Sequence, residues 1–578
     1  MSGAWRLPRR LAYVVSHARP WSSNGYAART HAMASALTAA GHEVIVFTRP
    51  GRPWDIEDFP ADQPVDLDQS IDGVRHISLP LPPLPGARPT QRLHAMADAL
   101  TKAFEVFRPA AVLGASNWET AEPARRAAGR VGAAFFYEQR GFWQMGADPA
   151  AEEAERAQET ETALGARAVF TLNALMRDEL LRRGIPAGRV HLVPNGVPEP
   201  GRIDRKVTRE SLGCRAQYLL CYIGSLSDYE GVGDLVELIA LLRRGAAGRA
   251  ALDVDALILG SDAPKGLIGG LAGTQGPAEA ALRAQAARLS VGGHIHFLPQ
   301  LPEGEVASYY TLCDAMVMPR RRTPVTELVP PIKPYAAAAY GLPVFMSDLP
   351  PLAEIAAEIG ASLFAEGDLA GLADMVHSAL TGGHPARMAP LDPNLGWARR
   401  ILPLSRHLDA VTEAERARNH QMFAPGAAET PAHAAPQPQR FDLAALPRVG
   451  LQGMLGAPHE ARIGPPAAAG DTDQRITRLT RANLLEVLAT AEPGRFVIDW
   501  AGLKAADDPG EWAGLWSIDD MRLNRQIMDA ARIALQRGWR LQVLGPVPRS
   551  QAPLFRTVAS VMEEILPPGQ RPPAEGAA

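Results

Sequence analysis

The amino-acid sequence predicts an α/β protein with two Rossmann-like domains facing a cleft, followed by a small C-terminal α/β extension. Three observations lead to that class. From Leu11 to about Glu366, short apolar runs rich in Val, Ile, Leu and Phe alternate with stretches that carry apolar residues at helical spacing. Such runs suit parallel strands buried on both faces, and regular strand–helix alternation builds doubly wound sheets. The runs are too many for one open sheet, and the turn-rich segment Pro194-Asn-Gly-Val-Pro-Glu-Pro200 divides them into two sets. Finally, the stretch from Ala424 to Gln439 is rich in Pro and Ala and reads as a linker before structure resumes.

Taken in order, the first set of predicted strands covers 11–16, 43–48, 112–114, 134–137, 168–172 and 190–193. The second covers 219–224, 256–260, 294–298, 315–318, 343–346 and 361–364. Helices are expected between them, for example over 30–40 and 233–244. The domains are therefore placed at 8–198 and 199–386. A polar helical segment follows at 387–420, then the linker at 421–475 and the extension at 476–570. Within the extension, helices are expected at 479–491 and 523–537, and strands at 495–500 and 540–544.

Composition sets the limits. A chain of 578 residues, at roughly 100–200 residues per domain, has room for about three domains. Fifty-nine Lys+Arg against 63 Asp+Glu give a net charge of −4, without the basic excess of a dedicated nucleic-acid binder. A hydrophobic share of 46% excludes wholesale disorder. Cys214, Cys221 and Cys313 are too few for a disulfide framework and lack metal-ligand spacing. No apolar stretch approaches the ~18 residues of a membrane span, and the first run is too short for a secretory signal, so a cytoplasmic location is expected. Positive charge is nearly all arginine. The lysines are Lys102, Lys206, Lys265, Lys333 and Lys504, so a lysine in a chemically sensible place stands out.

Several strand ends carry candidate chemistry. Ser22-Ser-Asn-Gly-Tyr-Ala-Ala-Arg-Thr-His31 opens the first helix, with Gly25 placed to let the backbone approach a phosphate. Leu219-Leu-Cys-Tyr-Ile-Gly224-Ser225-Leu-Ser-Asp-Tyr-Glu230-Gly231 repeats the pattern in the second domain. Gly260-Ser261-Asp262 follows a later strand, and Pro319-Arg320-Arg321-Arg322 follows another. Arginines at the end of a buried strand are expected to point into the cleft and bind phosphate bidentately. Asp66-Leu-Asp68 and Asp253-Val-Asp255 have the spacing of metal-dependent transferases, but one lies in a polar loop and the other at the wrong end of a strand. Both are read as structural, and no metal site is expected.

The most informative segment is Thr326-Glu327-Leu-Val-Pro-Pro-Ile-Lys333-Pro-Tyr-Ala336-Ala-Ala-Ala-Tyr-Gly341-Leu-Pro343-Val344. Together with Gly41-His-Glu-Val-Ile-Val, Tyr137-Glu-Gln-Arg140-Gly-Phe-Trp143, Leu192-Val-Pro-Asn195-Gly-Val and Tyr229-Glu-Gly231, it resembles the retaining glycosyltransferases of family 4, which have the GT-B fold. The resemblance covers roughly residues 10 to 415. It implies a nucleoside-diphosphate sugar on the C-terminal domain, used as co-substrate with no cofactor and no metal, and an acceptor on the N-terminal domain. Lys333 and Arg320–Arg322 would hold the diphosphate, Glu327 would face the donor sugar, and Gly25, Gly224, Ser225, Gly260 and Glu354 would complete the donor side. His17, Asn24, Arg140 and Trp143 would lie on the acceptor side.

One departure stands out. Ala336 occupies the place of the family's second glutamate, which ordinarily binds the donor ribose, while Ser225 and Glu230 stand where many members have Arg and Lys. Two functions follow as expectations. One is hexose transfer to a glycan or lipid-linked acceptor in surface or exopolysaccharide synthesis by a bacterial enzyme at the inner membrane face. The other is a degenerate GT-B protein that binds a glycan or partner without catalysis. His31 and His42 are read as core or capping residues, Glu159 and Glu161 as solvated, and Trp500, Trp512, Trp516 and Trp539 as core or interface.

Overall fold

A computed structural model describes the chain except residues 1–4, 57–58, 60–62, 83, 85, 143–148, 202, 246–248, 263–275, 383–389, 424–459, 465–475, 507–509, 514, 516–520 and 545–578. The chain divides into two compact units. The larger comprises residues 9–101 and 111–409, the smaller 1–8, 102–110 and 410–578.

Eight strands form the first sheet: β1 (Leu7–Val15), β2 (Glu43–Thr48), β3 (Asp68–Ile71), β4 (Val74–Ile77), β5 (Pro109–Ala115), β6 (Ala134–Gln139), β7 (Val169–Thr171) and β8 (Val190–Leu192). Their order is β3-β4-β2-β1-β5-β6-β7-β8. Every residue of β5 is buried, as a strand covered by helices on both faces requires. The expected helix begins earlier than its apolar spacing suggested. It runs Gly25–Ala39 because the Asn24 side chain accepts from Tyr26 N and Ala27 N at 3.0 Å each and caps it.

Six parallel strands form the second sheet: β9 (Tyr218–Ile223), β10 (Val254–Leu259), β11 (Ile295–Leu298), β12 (Ala315–Met318), β13 (Val344–Ser347) and β14 (Ser362–Phe364), in the order β11-β10-β9-β12-β13-β14. Strands β10, β12 and β13 are buried throughout, and helix Val232–Arg244 packs Leu235, Val236, Leu238 and Ile239 into the same core. The polar segment after this domain is helical, with helices Trp397–Arg400 and Leu402–Phe423.

The smaller unit contains four parallel strands, β15 (Glu460–Ile463), β16 (Ile476–Arg478), β17 (Arg495–Asp499) and β18 (Arg540–Leu544), ordered β16-β15-β17-β18. Strand β15 corrects the reading of 421–475 as linker throughout: Glu460–Ile463 pairs with β17 and buries Ala461 and Ile463. The first helix of the extension is Leu484–Thr490, shorter than expected, because the turn before it is held by Asn483 Oδ1 accepting from Thr480 N at 2.7 Å. The other three expectations hold closely, with strand β17, helix Met521–Arg537 and strand β18. Trp500, Trp512 and Trp539 are buried, the last donating Nε1–H to Leu488 O at 3.0 Å, so these rings belong to the core. Trp516 lies outside the described residues.

Candidate active site

In open α/β sheets, ligands sit at the carboxyl ends of the strands where the strand order reverses. In the first sheet that point lies between β1 and β5, and in the second between β9 and β12. Gly224 and Ser225 follow β9, and Arg320, Arg321 and Arg322 follow β12. The sequence-predicted donor residues therefore flank the reversal of the second sheet.

Lys333 opens helix Lys333–Ala339 and lies across the β9 turn. A Cβ at Gly224 would run into Lys333 Cε, and one at Gly260 would run into the Gly224 carbonyl. Both glycines are needed for this close approach of chain to chain. The Lys333 ammonium lies 2.7 Å from Glu230 Oε1 and donates to the Tyr222 hydroxyl at 2.9 Å. Tyr222 in turn donates to Ser225 O at 2.7 Å. Glu230 also receives Arg320, whose Nη2 and Nε donate to its two oxygens at 3.2 and 3.3 Å, while Nη1 donates to Val329 O at 3.1 Å.

Glu230 is 2% exposed, so its charge must be paired. Burial penalises its carboxylate, but Arg320 and Lys333 outweigh this and pull its pKa down to about 2. Burial lowers the Lys333 pKa, with Glu230 opposing. Two cations share one anion, and the cluster carries one net positive charge beneath the turn Gly224–Gly231.

These contacts correct the reading of Arg320. Its guanidinium is buried and committed to Glu230 and Val329, so it positions the cluster rather than projecting free into the cleft. Arg321 and Arg322 remain half exposed. Arg321 lies 3.6 Å from Asp234, while Arg322 pairs with Glu327 at 2.5 Å and takes Glu366 at its backbone N–H. Glu327 is itself half exposed. Ala336 packs partly buried against the core of the second sheet and offers no polar side-chain atom. Glu354 is exposed on helix Pro350–Ile359. Burial raises its pKa, against a hydrogen bond with Asn173.

On the acceptor side, His17 is buried, bonded to Ser16 Oγ at 2.9 Å and stacked on Tyr26 at 5.5 Å between ring centroids. Burial raises the Tyr26 phenol pKa; Tyr229, Arg320 and Glu230 of the second sheet act on it as well. Gly25 sits against the same region, and a Cβ there would stand 3.3 Å from Ile332 Cγ2. The two halves thus meet where the donor and acceptor loops were expected. Two assignments change. Asn24 is the helix cap already described, so the Tyr26 and Ala27 N–H groups are taken and are not free for a phosphate. Arg140 is 3% exposed and bonded to Glu138, Tyr13 and Thr30, which makes it a structural ion. Trp143 lies outside the described residues.

A second buried carboxylate accounts for Arg140. Glu138 accepts from Arg29 Nε at 2.7 Å and Arg140 Nε at 2.8 Å. Arg29 also donates to Val193 O at 2.8 Å and Asn195 Oδ1 at 3.0 Å, and Asn195 Nδ2 reaches Pro330 O at 3.2 Å, three residues before Lys333. The interdomain turn is thereby tied to both halves. Sequence reasoning missed this network, although Glu138 and Arg140 sit in the motif it had singled out. Glu159, read as solvated, is 3% exposed and accepts from Tyr137, from Gln139 at 2.9 Å and from Trp118 N at 2.9 Å. Glu161 is exposed as expected. Asp68 lies in the β3–β4 hairpin, not a loop, and pairs with Arg75 at 2.8 Å. Asp255 bonds His294 and His296 near the start of β10, away from the reversal point.

Residues 24–196 match the family described as Glycosyl transferase 4-like domain, and residues 204–390 the family Glycosyl transferases group 1. Among solved structures, sucrose-phosphate synthase (tll1590) from Thermosynechococcus elongatus aligns with a TM-score of 0.50 at 18% identity, covering 72% of this chain and 99% of that one. Anabaena Alr3699/HepE in complex with UDP-glucose aligns at 0.47 and 11% identity, covering 71% and 99%. No curated protein matches the chain. Reversal points in two sheets, a lysine at the second of them, and family matches over both halves agree: the chain belongs to the GT4-like glycosyltransferases of GT-B fold.

Proposed function

We propose that the chain moves a hexosyl group from a nucleoside-diphosphate sugar, with retention of configuration, to a glycan or lipid-linked acceptor in cell-surface or exopolysaccharide synthesis. An acceptor hydroxyl oxygen forms the new bond to the anomeric carbon. The bond from that carbon to the diphosphate breaks, its electron pair stays on the diphosphate oxygen, and the nucleoside diphosphate leaves and takes up the proton that the hydroxyl gives up. The observation that carries the reading is Lys333, held by Glu230 and Tyr222 at the reversal point of the second sheet with a net positive charge around it. A leaving diphosphate is stabilised by fixed cations of this kind, so Lys333 and Arg321 are assigned to it and no metal or cofactor is invoked. Glu327 is assigned to the donor sugar. No described helix is long and apolar enough to cross a membrane, and a cytoplasmic place at the inner membrane surface is part of the same proposal.

The test is a transfer assay with Lys333→Ala and Glu327→Ala. Each is expected to lose at least about 100-fold in rate while the fold is kept. Wild-type rates in both would contradict the assignment.

A second reading is favoured by two specific features. Ala336 cannot accept a hydrogen bond, and Glu230 already occupies Lys333. On that reading the chain is a degenerate transferase that binds a glycan or protein partner without chemistry. Absence of binding by every nucleotide sugar in a calorimetric panel would favour it.

A further inference from the structure

The loop Glu327-Leu-Val-Pro-Pro-Ile-Lys333 joins the residue assigned to the donor sugar to the one assigned to the diphosphate. Pro330 and Pro331 have no N–H, so the loop has few donors of its own. Side chains meet its carbonyls instead. Three consecutive ones are held: Leu328 O by Asn173 Nδ2 at 3.1 Å, Val329 O by Arg320 Nη1 at 3.1 Å and Pro330 O by Asn195 Nδ2 at 3.2 Å. Arg320 follows β12 of the second sheet, but both asparagines come from the first half. Asn173 stands two residues beyond β7 and Asn195 three beyond β8.

Both amides are buried, Asn173 at 5% and Asn195 at 3% exposure. Each oxygen is fixed by a separate donor of the first half. Asn173 Oδ1 accepts from Met176 N at 3.0 Å and caps helix Ala174–Arg182. Asn195 Oδ1 accepts from Arg29 Nη1 at 3.0 Å, and Arg29 is in turn bonded to the buried Glu138. With the oxygens so fixed, the NH2 ends face the loop and supply the donors that it lacks. Asn173 also bonds Glu354. The grip on Lys333 is different in origin, since Glu230 and Tyr222 both belong to the second half. The diphosphate end of the loop is therefore set from the second half, and its course from Glu327 onward is set from the first as well.

We propose that Asn173 and Asn195 are positioning residues of the transfer reaction: from the first half they fix the loop behind Glu327, and Glu327 is aligned with the donor sugar while both amides donate. This rests on the assignment of Glu327 to the donor sugar. A displacement of about 1 Å at a reacting centre can cost about 100-fold in rate, whereas binding of the diphosphate through Lys333 does not draw on either asparagine.

Asn195→Asp and Asn173→Asp test it. Aspartate is nearly isosteric and keeps the oxygen that Arg29 or Met176 N needs, but it sets an acceptor against the loop carbonyl. In the full-length protein, hydrogen exchange is followed in peptides covering 326–335 and 174–182. Affinity for UDP, GDP and ADP is measured by calorimetry, and turnover as release of nucleoside diphosphate from UDP-glucose, GDP-mannose and ADP-glucose. In each variant, exchange over 326–335 is expected to quicken at least about tenfold, and that over 174–182 to stay within about twofold of the wild type. With the donor that the wild type turns over best, kcat is expected to fall at least about tenfold while affinity for its nucleoside diphosphate stays within about threefold. Exchange over 326–335 within about twofold of the wild type overturns the proposal. So does an undiminished kcat, or an affinity that falls as far as kcat. If Asn195→Asp does not fold, Asn173→Asp decides by the same measurements. A wild type that turns over none of the three donors counts against the function proposed above, and exchange over 326–335 then decides on its own whether the two asparagines hold the loop.

Discussion

Replacing Glu230 with glutamine removes the carboxylate that Arg320 and Lys333 share. The size of the effect follows from the titration. In the fold the Glu230 pKa lies at about 2 against an ordinary 4.5. At about 1.4 kcal/mol per pKa unit, that difference corresponds to about 3 kcal/mol at neutral pH. Loss of one partner from a buried ion pair costs about 3–5 kcal/mol, which agrees. The contribution is fully present above pH 4.5 and is lost as the pH falls toward 2, the sign for an acid whose folded pKa is depressed. Because a chain of several domains need not unfold in one step, local opening is the better readout. Hydrogen exchange at pH 7 in peptides covering 218–231 and 315–335 is expected to quicken by about two orders of magnitude in Glu230→Gln. The Lys333 pKa should fall further, since Glu230 is what raises it against burial. A change of less than about threefold in exchange would refute the reasoning that this cluster is held by shared charge.

Two other variants probe different parts of the account. Ala336→Glu places a hydrogen-bond acceptor where the alanine now has none, and is expected to tighten nucleotide-sugar binding by about tenfold, in line with about 1–3 kcal/mol for such a contact; unchanged affinity would mean the ribose does not lie there. His76 is buried and stacked on His31 at 6.1 Å, and burial, His31 and Arg19 hold its pKa at about 3 against an ordinary 6.5. The unfolded chain therefore binds this proton between pH 6.5 and 3 while the fold does not, so stability falls as the pH drops below 6.5. His76→Gln should recover about 2 kcal/mol at pH 5 relative to pH 7, read as slowed local opening by hydrogen exchange in peptides covering 68–78, and an unaltered pH slope would rule His76 out as the cause.

Most of the fold was legible because its information is local. Buried parallel strands such as β12, Ala315–Met318, are short apolar runs between turns, and the sequence shows them directly. The hairpin β3–β4 was missed although its signal was present: Asp72-Gly73, with φ of 47° and 79°, is the Asp-Gly pair that favours a tight hairpin turn. Strand β15 has four residues within the segment read as linker, too short a run to carry a period. In the site, Lys333 stood out because lysine is scarce and its motif is recognisable. What could not be seen was pairing over distance. Glu230 and Arg320 are 90 residues apart, so an arginine that looked free is neutralised by a carboxylate from another turn. Glu159 lies on a helix whose sequence looks polar, and only the fold brings Tyr137, Gln139 and Trp118 onto it.

The central claim is that the reversal point of the second sheet holds a nucleoside-diphosphate sugar through Lys333. Calorimetric titration of the full-length protein with a panel of nucleoside-diphosphate hexoses tests it most directly. The account predicts that at least one of them binds the wild type saturably, one molecule per chain, and that Lys333→Ala weakens that binding about tenfold or more, as loss of a charge-assisted contact requires. Absence of binding by every member of the panel, or equal affinity in Lys333→Ala, would contradict it.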